Sequence, residues 1–187
     1  MAIIIQEVVG KDYDDFFYPH ISGTAQSHNY YPVAHMEPED GFAIAALGLG
    51  HYVVNGEKAY RFSPKYPDLE VNSPDNLLRD SQVEFIALNM KNNEADLLKD
   101  GSDFSLSRVS IKEAEEHGTL KHLCSVYNPE NDSIMPGLDS PGPRILNFAD
   151  ILRYDHAPLA KTIEFILDVG KEALGAPVEI EYRSEER

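Results

Sequence analysis

The clearest periodic segment of this chain spans 158–174. Leu159, Ile163, Ile166 and Ala173 recur there on one helical face, and Gly175 supplies the stop. Nothing around it alternates strand and helix in a regular series. "AIIIQEVV" (2–9) reads as a buried β-branched strand. "GFAIAALGLG" predicts a strand over 42–47, a glycine turn at Gly48 and Gly50, and then more extended chain. "QVEFIALNM" reads as extended, with a helix left open, and "PRILNFADIL" and "PVEIEY" as strands. The stretch "KDYDDFFYPHISGTAQSHNYYP" is aromatic and loop-rich, and Asn55-Gly56 signals a hairpin. Ser73 before Pro74 marks a helix start, and Ser110 with Glu113 forms a capping box for a short helix ending near Gly118. Irregularly mixed strands and helices predict an α+β fold rather than a doubly wound sheet.

Composition limits the function classes. The chain has 187 residues, 42% of them hydrophobic, which suits one globular domain with a real core. Its formal net charge of -16 repels phosphate backbones, so nucleic acid is not an expected partner. No run of apolar residues is long enough to span a membrane, and the opening segment lacks the basic flank of a signal peptide. The single cysteine, Cys124, excludes an intrachain disulfide and makes a cytoplasmic protein the default.

Taken one by one, the candidate chemical groups favour ordinary structural roles. The seven histidines include no pair at zinc-helix spacing, and Cys124 has no partner cysteine. Cys124 reads as a buried small hydrophobe. "KDYDD" reads as a solvated loop. Glu179 and Glu181 stand two apart in a strand and so face the same way. That pattern suits either a bound cation or a charged edge that resists aggregation.

The order of the segments says more. "MAIIIQEVVG", "SGTAQSHNYYP", "ALGLGHYVVNGEKAYRFSP" and "EALGAPVEIEY" together resemble the nucleotide-binding domain of the pyruvate phosphate dikinase and phosphoenolpyruvate synthase family, a group that includes rifampicin phosphotransferase. The family runs from a "MAVVVQKMV"-like segment through "SGV-F" and "GLGE-VV-G" to a final "DIEW" or "DMEF" strand. The counterparts here are 1–10, 22–32, 48–56 and 178–182, while 65–150 is matched only loosely and reads as a variable, insertion-like region of the same domain, 1–187.

The resemblance implies the second lobe of an ATP-grasp fold, with a mixed or mainly antiparallel sheet and packed helices. The first lobe is expected before Met1, and a Gln-x-Arg element after the final strand. The resemblance assigns adenine contact to the backbone of Gln6, Glu7 and Val8, with ATP as ligand, and assigns Mg2+ to Glu179 and Glu181. It also implies phosphoryl transfer to a histidine on a swivelling domain and then to an acceptor such as pyruvate. The 187 residues by themselves are then expected to be inactive and to bind ATP weakly, with a Kd of about 1 mM or worse. One departure matters: His51 stands where the glycine turn of the family carries glutamate. It leaves open a degenerate, non-catalytic nucleotide-binding or interaction module.

Overall fold

The computed structural model describes residues 3, 5–91, 101 and 103–185. Eleven short strands form three antiparallel sheets among these residues. The first sheet has the order β1-β2-β6-β7, from β1 (Lys11–Tyr13), β2 (Phe16–Tyr18), β6 (Glu84–Asn89) and β7 (Leu106–Ser110). The second has the order β10-β8-β9, from β8 (Cys124–Asn128), β9 (Ser133–Pro136) and β10 (Arg144–Leu146). The third has the order β11-β3-β4-β5, from β3 (Ile21–Gln26), β4 (Phe42–Ala46), β5 (Tyr60–Phe62) and β11 (Glu179–Ser184). The helices are α1 (His51–Val54), α2 (Pro74–Asp80), α3 (Ile111–Glu116), α4 (Ala149–Leu152) and α5 (Leu159–Leu174), with a 3-10 turn at Pro38–Asp40. The expected α+β class and mainly antiparallel pairing are observed.

One apolar cluster joins the three sheets to α4 and α5. Tyr18, Ala25, Ala43, Phe62, Phe85, Val109, Leu146, Ile151, Ile163 and Leu167 all contribute to it. The 65–150 region supplies β6 to β10, and with them the buried Phe85, Leu120 and Phe148 of this cluster.

Several local expectations hold for the expected reason. Ser73 caps α2 by accepting from the Asn76 N–H, with Pro74 in the first turn. Gly175 ends α5 in the left-handed region, at φ 63°, and donates to the Lys171 carbonyl at 2.9 Å. Ser110 caps α3, but through the Lys112 N–H rather than that of Glu113.

Others are corrected. Within 2–9, the described residues lie in no strand, and Ile3, Ile5, Val8 and Val9 are exposed; no strand among the described residues pairs with them. The 11–32 stretch is not mostly loop: it holds β1, β2 and β3. "KDYDD" closes the β1–β2 hairpin, in which Tyr13 pairs with Phe16 and Asp14 takes φ 50°, a conformation that aspartate tolerates. After the glycine turn, 51–54 is helical rather than extended, and Asn55 caps that helix. Gly56, at φ 74°, therefore leaves a helix end and not a hairpin. The 143–152 strand stops at Leu146, because Phe148 turns left-handed at φ 53° and starts α4.

The buried face of α5 is also rotated from the expected one. Ala160, Ile163 and Leu167 enter the core, while Ile166 is 43% exposed and Ala173 lies outside. Gly170 packs close to Val178, where a Cβ would meet the Val178 side chain at 3.1 Å.

Candidate functional site

The third sheet has one face on the core and one largely open. Along β11, Ile180 and Tyr182 pack inward, while Glu179, Glu181 and Arg183 are exposed. Residues directly opposite in an antiparallel ladder share a face. Glu181 lies opposite Thr24, Thr24 opposite Ile44, and Ile44 opposite Arg61. The next row runs Glu179, Gln26 and Phe42, and on the other side a row runs Arg183, Ser22 and Ala46. Arg61 and Glu181 are thus three strand spacings apart, about 14 Å. Helix α1 covers the Ser22–Ala46 end, where Ala46 packs with Tyr52 and Val53. The Glu179 end stays open, beside a cleft of about 230 Å³ lined by Gln26, His28, Tyr30, Val178 and Glu179.

The two carboxylates meet the expected one-face geometry. Neither makes an ion pair or hydrogen bond among the described residues, and the same is true of the Arg183 side chain. The face therefore offers unspent charge of both signs. Two carboxylates at this spacing can contribute to a magnesium shell whose remaining positions are water and phosphate oxygen. Among the described residues no group of three or more His, Cys, Asp or Glu side chains is arranged to hold a metal by itself.

The glycine turn meets β11 in space. Gly48 takes φ 87°, and a Cβ there would lie 2.6 Å from the Ile86 carbonyl oxygen, which accepts from the Leu49 N–H at 2.8 Å. Gly50 lies beneath Arg183, whose Nε would sit 3.8 Å from a Cβ on that glycine. His51 is exposed at the start of α1. Two segments some 130 residues apart thus converge at one end of the open face.

The adenine assignment is not assembled in the same way. Gln6, Glu7 and Val8 are exposed and outside any strand. The chain joins the fold at Lys11, 3.6 Å from Glu185, past the opposite end of β11 from Glu179. No hydrogen bond or ion pair links residues 6–8 to either glutamate among the described residues.

Thr24, Gln26 and Arg61 were not singled out by the sequence. Their only signal is strand register, which is invisible while 21–26 reads as loop. Three of the seven histidines, His20, His122 and His156, also converge without a recognisable spacing. His20 Nδ1 pairs with Glu185 at 2.6 Å, His122 Nδ1 with Asp150 at 2.7 Å, and the His122 and His156 rings stack at 3.7 Å. They line a cleft of about 410 Å³. Cys124 is buried as expected, and burial pushes its thiol pKa up, away from nucleophilic use.

Compared with models of protein families, with curated proteins and with solved structures, the chain matches none. No helix among the described residues is long and apolar enough to cross a membrane.

Proposed function

We propose that this chain is a nucleotide-binding lobe of a phosphotransferase of the phosphoenolpyruvate synthase and pyruvate phosphate dikinase type, with an ATP-grasp arrangement, and that it holds Mg2+-ATP on the open face of the third sheet. The observation that carries this reading is the pair Glu179 and Glu181, unengaged on one open strand face, with Thr24 and Gln26 beside them in register. Glu179 and Glu181 would hold Mg2+ there, which would offset the charge of the ATP phosphates, and Thr24 and Gln26 would orient the phosphate chain. The segment through Gln6, Glu7 and Val8 presents backbone N–H and C=O groups outside any ladder, which suits reading of an adenine edge. A phosphoryl group of ATP would pass to a histidine on a swivelling partner domain, with the rest of the nucleotide leaving as the phosphoanhydride bond breaks, and from the histidine to an acceptor such as pyruvate, in the cytoplasm.

His51 supports a second reading. It puts an exposed imidazole where the resembling turn carries a carboxylate, which fits a lobe that binds nucleotide without transferring phosphate.

Calorimetric titration with ATP, with and without Mg2+, tests the proposal. The expected Kd is about 1 mM with Mg2+, and Glu181→Gln weakens it about fivefold or more, only when Mg2+ is present. Binding indifferent to both Mg2+ and Glu181→Gln would contradict the assignment.

A further inference from the structure

Six arginines lie among the described residues. Arg79, Arg108, Arg144 and Arg153 each pair with a carboxylate. Arg61, like Arg183, does not, in a chain of net charge -16. Its guanidinium is nevertheless held firmly. It stacks over the Phe42 ring, 3.8 Å from the centroid, and its Nη2 donates to Asn29 Oδ1 at 2.9 Å. Asn29 is itself 1% exposed and fixed by two backbone bonds: its N–H donates to the Pro38 carbonyl at 2.7 Å, and its Oδ1 accepts from the Tyr31 N–H at 3.1 Å. Arg61 lines a pocket of about 160 Å³ together with the apolar Tyr31, Val33, Phe42, Leu69 and Val71 and the polar Ser63 and Asn72. Burial lowers the Arg61 pKa, although the side chain remains exposed on its outer side.

We infer that Arg61 and this pocket form a binding site for a small monocarboxylate carried on a short apolar or aromatic body. Asn29 occupies one guanidinium nitrogen and leaves the rest of the planar fork for a carboxylate. The apolar wall takes the body of the ligand. The pocket is smaller than the several hundred Å³ typical of sites for larger ligands, so only a compact body fits. A single cation in an acidic protein suits a monoanion better than a dianionic phosphate. Arg61 and Phe42 belong to the same sheet face as the nucleotide reading, with Arg61 about 14 Å from Glu181, but neither is assigned there to ATP or Mg2+.

The test is an amide NMR titration of the whole chain with benzoate, benzamide and phenyl phosphate. Benzoate is expected to give saturable shifts centred on Phe42, Arg61 and Val71. Benzamide and phenyl phosphate should bind about tenfold more weakly, and Arg61→Gln should weaken benzoate by a similar factor. Arg61→Lys, which keeps the charge and loses the fork, should fall between, with unchanged spectra elsewhere confirming the fold of both variants. Shifts that do not saturate, benzamide or phenyl phosphate equal to or tighter than benzoate, or an Arg61→Gln variant that binds benzoate like the wild type would each overturn the proposal.

Discussion

Gly23 faces the ring of Tyr182 across the β3–β11 ladder. The Tyr182 hydroxyl crosses that gap and donates to the Ile44 carbonyl at 2.8 Å. Burial holds its pKa well above the ordinary tyrosine value. A Cβ at Gly23 would lie 1.9 Å from the Ile44 oxygen and 2.6 Å from the Tyr182 hydroxyl. Gly23→Ala is therefore expected to cost about 1–3 kcal/mol, read as a lower urea midpoint at unchanged slope. A second residue-scale expectation concerns pH. Hydrogen bonds from Arg144, with Nε 3.1 Å from Oε2, hold the Glu115 carboxyl below its ordinary pKa. A depressed carboxyl stabilises the fold above its unfolded pKa of about 4.3 and loses that contribution as pH falls through the lower folded value. The pair is partly exposed, so its worth is under about 1 kcal/mol. Wild type should exceed Glu115→Gln by that margin above about pH 5, and the two should converge as pH falls below the lowered folded value, in denaturation at each pH. Residue types at caps and stops were legible in the sequence, since Ser73 and Gly175 act through their own backbone neighbourhood. Arg61, Thr24 and the histidine pairs were not, because they depend on partners far away in the chain.

At the scale of the element, α5 shows what periodicity resolves and what it leaves open. Its limits follow from the sequence pattern and the Gly175 stop, but its buried face does not. Two apolar stripes run along it: Ala160, Ile163 and Leu167 inward, and Phe165, Ile166, Val169 and Ala173 outward. A helical period fits either stripe, and only the tertiary contacts, among them Gly170 against Val178, show which one is buried. Leu167→Ala is accordingly expected to cost about 2–5 kcal/mol, whereas Ile166→Ala should stay within about 0.5 kcal/mol; thermal or urea unfolding separates the two. The strand expected at 2–9 fails for a related reason. β-branched composition expresses a preference for a ladder without supplying one. The reverse error occurs at 21–26, where Ser22, Gly23 and Thr24 look like loop residues yet form the centre of a sheet: β3 is paired on both sides, and Gly23 is needed under Tyr182.

At the scale of the whole molecule, the candidate site is a product of topology. The final strand pairs with β3, about 150 residues earlier, and through it with β4 and β5. Glu179 and Glu181 could be placed on one face from spacing alone, and the structure agrees. Which other side chains share that face could not be read, because register between distant strands leaves no local signature. The same topology gives the central claim its sharpest test. Mn2+ substitutes for Mg2+ at carboxylate and phosphate oxygens and broadens nearby amide signals. With ATP present, Mn2+ is expected to broaden Thr24, Gln26 and Glu179–Ser184 first, and the effect should vanish in the Glu179→Gln, Glu181→Gln double variant. Broadening centred elsewhere, or unchanged when ATP is omitted or both glutamates are replaced, would contradict the account.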